Sequence, residues 1–324
     1  MTNRLTTTGS PLVIASRGSR LALRQCELVK DLLHSAHPDL DVRVQVVQTR
    51  GDKDPRPFNT IGAKGLFTSE VEAVVARGEA DLAVHSAKDL TSELADGCAI
   101  LCVPARASRA DVVVGGEGDS GEERLGALAL GARVGTSSMR RRALLLEARP
   151  DVEPVEFRGN VDTRMAKVAA GEVDAALLAA AGLERLGAAG GAALDPSWWV
   201  PAPGQGILAL EGRTDRPDLL ALLEPIEDAA TRAELECERA FATTLEGGCS
   251  VPLGCSASAD GDRLLVMGFL GMPDGSHGMR DRISGGRHEA ATLGRELAEA
   301  IRSCGGDDIL VELAHESPPP LPEP

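Results

Sequence analysis

Leu12-Val13-Ile14-Ala15-Ser16-Arg17-Gly18-Ser19-Arg20-Leu21-Ala22 sets the pattern from which the fold is read. Leu12–Ser16 is a short apolar run closed by a turn residue, as a buried strand requires. Ser19 follows as a helix N-cap, and Leu21, Leu28, Val29, Leu32 and Leu33 recur on one face through about His34. The same strand-then-helix pattern repeats outward from this stretch. Val42–Thr49 alternates as a strand, and Ser69-x-x-Glu72 is a capping box opening a helix that stops at Gly78. Leu82–Val84 is a short strand that leads into His85-Ser86-Ala87-Lys88-Asp89. After a glycine-rich acidic loop at Gly115–Gly121, Val134 leads to the hydroxyl cluster Thr136-Ser137-Ser138 and a helix to about Arg149, ended by Pro150. Strand Val152–Phe157, helix Asp162–Ala170 and strand Ala175–Ala179 follow. Alternation of this kind predicts parallel α/β layers.

Pro201-Ala202-Pro203-Gly204-Gln205-Gly206 reads as a rigid connector, and a hinge is expected there and near Pro104. Beyond it the character changes. A helix from about Asp228 to Leu245 precedes strand-like runs at Cys255–Ala259, Leu264–Leu270 and Arg280–Ser284. A helix over Ala291–Cys304 and a short strand at Ile309–Leu313 complete a small α+β unit with an antiparallel sheet. Ser317–Pro324 reads as a disordered, proline-rich tail.

A chain of 324 residues is long enough for two or three domains with cores of their own. Aromatic residues make up only 2%, so the cores are aliphatic, and exposed rings for stacking single-stranded nucleic acid are scarce. A net charge of −15 argues against binding DNA, RNA or anionic membranes through the overall field. The 7 cysteines are scattered and form no disulfide framework. Cys98 and Cys102 stand apart from other ligands, so no metal is expected. Met1–Ser10 is polar without an apolar signal region, and no apolar run approaches bilayer length. A cytoplasmic location is expected.

Basic residues gather after strands and at helix starts. Arg17, Ser19, Arg20 and Arg24 follow the first strand, and Lys64 sits in Gly62-Ala63-Lys64-Gly65. Arg140, Arg141 and Arg142 open a helix whose capping hydroxyls and free amides favour an anion. Arg158 and Arg164 bracket the next strand-helix loop, Arg158-Gly159-Asn160-Val161-Asp162-Thr163-Arg164. In an open α/β sheet, such loops line the ligand crevice, and guanidinium forks suit carboxylates. Most arginines are solvated surface charges, and Arg24 and Arg142 read that way. Arg140 and Arg141 are harder to dismiss, because the helix dipole disfavours cations at a helix start.

Lys88-Asp89 ends a short buried strand. An acid there suits acid–base or charge-stabilising chemistry, or simply caps a loop. His85 reads as making a local hydrogen bond. Cys249 lies in Glu246-Gly247-Gly248-Cys249-Ser250-Val251-Pro252-Leu253-Gly254, where the glycines leave room for a bulky group on sulfur and Pro252 stiffens the exit. Taken alone, it reads equally as a small turn residue. Gly204-Gln205-Gly206-Ile207-Leu208-Ala209 has dinucleotide-loop spacing, but a strand-like run follows it, and no P-loop is present. No nucleotide cofactor is expected.

Taken in order along the chain, these segments resemble the porphobilinogen deaminase family, also called hydroxymethylbilane synthases. The matches are Arg17-Gly18-Ser19-Arg20-Leu21-Ala22, Gly62-Ala63-Lys64-Gly65-Leu66-Phe67, His85-Ser86-Ala87-Lys88-Asp89, Gly135-Thr136-Ser137-Ser138-Met139-Arg140-Arg141, Arg158 to Arg164, Pro201–Gly206 and Glu246–Gly254. The resemblance implies an α/β protein with two lobes like type II periplasmic binding proteins and a small C-terminal α+β domain. The expected bounds are 10–104 plus 205–224 for the first lobe, 105–204 for the second, 225–315 for the C-terminal domain and 316–324 for the tail.

It also implies a monomeric transferase of tetrapyrrole biosynthesis that joins four porphobilinogen molecules head to tail, releases ammonia and hydrolyses the product to hydroxymethylbilane. A dipyrromethane cofactor would be held by a thioether to Cys249. Asp89, Lys88 and Arg17 would be catalytic. Cys249, Asp89, Lys88, Ser138, Arg140, Arg141, Arg158 and Gly159 would bind the cofactor, and Arg17, Ser19, Lys64, Arg158 and Arg164 the substrate carboxylates. Porphobilinogen would be the small-molecule partner, with no nucleic acid and no membrane.

The chain departs from the family pattern at Leu90-Thr91-Ser92, where Pro-Thr often follows the hydrophobic residue, and at Arg20, often proline or uncharged. Two other readings fit part of the pattern. A noncatalytic two-lobed anion-binding protein would use the same arginines without Asp89 or Glu246–Gly254. A thiol-dependent acyl transferase would need a histidine partner for Cys249 that the sequence does not mark.

Overall fold

A computed structural model describes residues 11–49, 68–245, 251–315 and Pro322. Lys64, Cys249 and all of the tail from Ser317 except Pro322 lie outside the described residues. The chain divides into two compact units, Met1–Arg106 with Ile207–Arg232, and Ala107–Gly206 with Ala233–Pro324.

The first unit opens with β1 (Leu12–Arg17), α1 (Arg20–Ala36), β2 (Val42–Val47), α2 (Ser69–Ala76), β3 (Leu82–Ser86) and β4 (Cys98–Cys102). Alternation along the strands sorts the side chains to two faces. Leu12, Ile14, Leu82 and Val84 pack with Cys26, Val29 and Leu33 of α1, while Ala15 and Ala83 meet Val71, Val74 and Val75 of α2. Ser19 caps α1 as expected, its Oγ accepting from the Ala22 amide at 3.2 Å. Leu32, expected on the inner face, is exposed; the buried stripe is Gln25, Cys26, Val29 and Leu33, and Leu32 falls on its margin. The capping box expected at Ser69 does not form. Thr68 occupies the cap position without a side-chain cap bond, and Glu72 is buried on the helix's inner side instead of reaching back.

The chain then builds β5 (Asp111–Gly115), α3 (Gly121–Ala127), β6 (Arg133–Gly135), α4 (Met139–Ala148), β7 (Glu153–Val155), α5 (Val161–Ala169), β8 (Ala175–Ala179), α6 (Ala180–Leu186) and β9 (Gly191–Ala193) of the second unit. The acidic loop ends in a capping box the sequence reading missed, Ser120 with Glu123, which starts α3. The strand expected over Val152–Phe157 is confined to Glu153–Val155. Next, β10 (Leu208–Arg213) and α7 (Pro217–Leu223) belong to the first unit, and α8 (Ala229–Thr244) leads to β11 (Leu253–Asp260), β12 (Arg263–Gly271), β13 (Gly278–Gly286), α9 (Ala290–Ile301) and α10 (Asp307–His315).

The first unit holds a five-stranded sheet of order β2-β1-β3-β10-β4, and the second a five-stranded sheet of order β7-β6-β8-β5-β9. β1 runs parallel to β2 and β3, but β10 is antiparallel to β3 and β4. Likewise β6 is parallel to β7 and β8, while β5 is antiparallel to β8 and β9. The sheets are therefore mixed where alternation alone predicts parallel ones. The reversed strands β5 and β10 each enter by a direct connection from the other unit, without the crossover helix a parallel neighbour needs.

The third sheet, β11-β12-β13, is the expected antiparallel meander. Cys255, Ala257, Leu264, Val266 and Leu270 pack there against Phe241 of α8 and Leu293, Leu297 and Ile301 of α9. The strand expected at Ile309–Leu313 is helical. Asp307 and Asp308 occupy the first turn of α10, where acids favour a helix, and Ile309, Leu310 and Leu313 share one helical face on the core.

Candidate functional site

Two groups of expected site residues are assembled, one in each unit. In the first unit β1 and β3 are parallel neighbours, so their C-terminal ends share one edge of the sheet. Arg17 ends β1, Ser19 caps α1, and the chain leaving β3 makes one tight turn over Ala87–Asp89. The turn is pinned by the Ala87 amide on the Ile207 carbonyl at 3.0 Å. Arg17, Ser19, Gln25, His85, Ser86 and Asp89 line a common pocket, with Thr68 and Val71 contributing from the start of α2. Asp89 is exposed at this pocket, and Gln25 Nε2 donates to Ser86 Oγ at 2.8 Å. A cation, a hydroxyl and a carboxylate thus meet at the strand ends where an α/β sheet binds its ligand.

The local bond expected of His85 is in fact long-range. Its Nε2 lies 3.0 Å from Oε2 of Glu211, a fully buried residue of β10.

In the second unit β6 and β7 are parallel neighbours and present the loops that carry the arginines. Gly135 ends β6, and a Cβ there would fall 2.5 Å from the Phe157 ring, so only glycine lets the two strand ends close up. Ser137 Oγ donates to the Phe157 carbonyl at 2.8 Å, and Ser138 Oγ accepts from the Arg141 amide at 3.4 Å to cap α4. Beyond β7, Arg158 Nε reaches Glu156 Oε1 at 2.9 Å, Gly159 adopts φ +113°, Asn160 caps α5, and Arg164 Nε donates to the Gly159 carbonyl at 2.9 Å. Arg24 is exposed, as expected, whereas Arg142 is half-buried and its charge is disfavoured by that burial.

Arg140 and Arg141, expected to point cations at a ligand, turn inward. Arg140 Nη2 lies 2.8 Å from Asp111 Oδ2, and Arg141 Nη2 lies 2.6 Å from Oδ1. Arg140 Nη1 donates to the Val200 carbonyl and Arg141 Nη1 to the Leu177 carbonyl, each at 2.9 Å. Trp199 Nε1 and Gln205 Nε2 complete the shell around Asp111, each at 2.8 Å. Burial alone would raise the Asp111 carboxyl's pKa, but Arg140 and Arg141 hold it well below the usual carboxylate range. Two guanidinium groups against one carboxylate leave the cluster one positive charge. Among the described residues Arg140 Nε is buried without a hydrogen-bond partner.

Sequence reading missed Asp111, Trp199 and Gln205, and dismissed the glycine pair around Gln205. A charged residue heading the apolar strand Val112-Val113-Val114 was the available signal.

The segment carrying Cys249 lies outside the described residues, but both its flanks are fixed. Leu245, after α8, is fully buried; at the start of β11 the Cys255 amide donates to the Pro201 carbonyl at 2.9 Å. Glu238 of α8 accepts from the amides of Gly204 and Ala257 at 2.6 and 2.8 Å. The Pro201–Gly206 stretch, α8 and β11 are thereby tied together.

The described cationic shell fits a polycarboxylate. It offers a residual positive charge, an unpartnered buried guanidinium nitrogen, a capped helix N-terminus at Ser138, and Arg158 and Arg164 on the neighbouring loop.

Comparison with known proteins adds the following. Residues 12–221 match the family model described as porphobilinogen deaminase, dipyromethane cofactor binding domain, and residues 233–303 match porphobilinogen deaminase, C-terminal domain. The porphobilinogen deaminase of Roseiflexus sp. (strain RS-1) is 45% identical over 302 residues, covering 92% of this chain and 98% of that one. That of Trichlorobacter lovleyi is 41% identical over 305 residues, covering 93% and 96%. Among solved structures, the periplasmic aliphatic sulphonate binding protein SsuA from Escherichia coli is similar over 74% of this chain and 71% of that one, at 15% identity and a TM-score of 0.37.

Proposed function

Because the chain belongs to the porphobilinogen deaminase family, we propose that it condenses four porphobilinogen molecules head to tail on a covalently held dipyrromethane, releases ammonia and hydrolyses the product to hydroxymethylbilane. The observation that carries this reading is the convergence of Arg17, Ser19 and Asp89 on one pocket at the ends of β1 and β3.

Each residue type answers a feature of the substrate. Porphobilinogen carries an acetate and a propionate arm, and Arg17, Ser19, Lys64, Arg158 and Arg164 supply charge and hydroxyl donors for them. Positive charge develops on the pyrrole as ammonia departs. Asp89, at the end of β3, offers a carboxylate to stabilise that charge, and Lys88 adjoins it in the same turn.

Ser138, Arg140, Arg141, Arg158 and Gly159 would hold the dipyrromethane carboxylates, with Lys88 and Asp89 as further contacts and Cys249 as the thioether anchor. When bound, that group supplies the covalent end onto which pyrroles are added. Asp111 keeps Arg140 and Arg141 ordered while leaving them a net positive charge.

The three sheets support a three-domain organisation with bounds near 104, 204 and 224. A monomeric state and a cytoplasmic location belong to the same reading. Cys26, Cys98, Cys102, Cys237, Cys255 and Cys304 are free thiols, and no helix among the described residues is long and apolar enough to cross a membrane.

The test is direct. Purified protein given porphobilinogen should release ammonia and form hydroxymethylbilane. Binding of porphobilinogen without ammonia release would favour a two-lobed anion-binding protein instead.

A further inference from the structure

His85 lies on the wall of the pocket that Arg17, Ser19 and Asp89 share, at the end of β3 and four positions before Asp89. The antiparallel register sets Ala209 of β10 opposite His85 and Glu211 opposite Ala83, so the Glu211 carboxylate emerges on the same face of the sheet as the imidazole. Ala15, Ala83, Val71, Val74 and Val75 pack on that face, with Cys98 and the buried Glu72 of α2 nearby.

A carboxylate there is costly unless it is paired. Glu211 is fully buried, its Oε2 lies 3.0 Å from His85 Nε2, and its Oε1 has no hydrogen-bond partner. Burial, then the Glu211 charge, pushes the neighbouring Cys98 thiol up to about 11, so that thiol stays protonated beside the carboxylate. With Nε2–H directed at Glu211, the basic lone pair of the ring is on Nδ1. The imidazole makes no other hydrogen bond among the described residues. A buried carboxylate that fixes the tautomer of a histidine on a pocket wall is the arrangement by which such a ring accepts a proton.

We propose that His85, oriented by Glu211, is the proton acceptor when ammonia leaves porphobilinogen. This rests on the deaminase reading above. The pyrrole N–H proton passes to His85 Nδ1 and the N–H electron pair enters the ring system. The exocyclic carbon–nitrogen bond of the protonated aminomethyl group breaks, and its electron pair leaves with neutral ammonia. As the new carbon–carbon bond forms, His85 returns the proton to the pyrrole nitrogen. The hydrogen on the attacking pyrrole's α-carbon leaves as a proton that the released ammonia takes up, so the imidazole ends each cycle neutral. Asp89 stabilises charge in this scheme, and His85 carries the proton.

The test compares the native protein with His85→Gln, His85→Ala and Glu211→Gln. Intact mass reports whether the covalent pyrroles are loaded, thermal unfolding reports folding, and single-turnover ammonia release reports the step. His85→Gln keeps a donor for Glu211 but cannot carry the proton. It should fold, show the native adduct mass, and release ammonia about 10²-fold more slowly or worse. Added imidazole should restore part of the rate in His85→Ala, which a purely structural histidine would not allow.

Glu211→Gln should be slowed with its adduct intact. Ammonia release by His85→Gln within a few-fold of native, or no imidazole rescue of a loaded His85→Ala, would overturn the proposal. A native protein with neither adduct nor ammonia release would overturn the deaminase reading instead.

Discussion

Asp111 and Arg141 are joined through a single carboxylate oxygen, Oδ1, which accepts from Arg141 Nε at 3.1 Å and from Nη2 at 2.6 Å. The other oxygen is left to Arg140 and Trp199. One buried acid therefore orders two buried arginines at the start of α4. Residues expected from sequence to bind an anionic ligand are thus held by a buried acid.

Removing that acid exposes its weight. Asp111→Ala leaves two buried guanidinium groups without their counter-charge, which should cost about 3–5 kcal/mol of stability. Urea titration measures it, and a loss below about 1 kcal/mol would show that Asp111 does not hold the cluster.

The same carboxylate predicts an acid response. Its pKa in the folded state is depressed, so its contribution is present above the unfolded value of about 3.9 and is lost as pH falls toward the folded one. The native protein should lose stability as pH drops below about 4. Asp111→Asn, with nothing to titrate there, should show a shallower decline over the range from about 4 to about 2. Parallel declines would assign acid sensitivity to other groups.

Gly135→Ala would place a methyl group 2.5 Å from the Phe157 ring. Shifting the ring or the strand end should cost about 1–3 kcal/mol and loosen the Thr136-Ser137-Ser138 turn. Thermal unfolding would report the cost, and an unchanged midpoint would mean that Phe157 yields freely.

Asp89 is exposed and ends a one-turn segment, so Asp89→Ala should fold as the native chain does. Its turnover should fall by about 10²–10⁴-fold while the adduct mass is retained. Near-native turnover would remove Asp89 from the chemistry.

Elements marked by local chemistry were legible in the sequence. Ser19 and Ser138 announce their helices because a cap is a contact three residues long. The β11-β12-β13 meander is legible from its alternating runs. What sequence reading missed depends on distant partners. Asp111 meets its arginines about thirty positions along, and Glu211 lies 126 positions from His85. Nothing near either acid marks it as a counter-charge. At Ile309–Leu313 a run of branched apolar residues suggests a strand, but Asp307 and Asp308 at a helix start and a one-sided core contact decide for helix. The reversed directions of β5 and β10 follow from where the chain passes between units, which periodicity does not encode.

The most direct test of the central claim is the intact mass of the denatured protein beside Cys249→Ala. An adduct of two linked pyrroles on the native chain and none on the variant is the predicted result. A native chain that stays unmodified and releases no ammonia after incubation with porphobilinogen would contradict it.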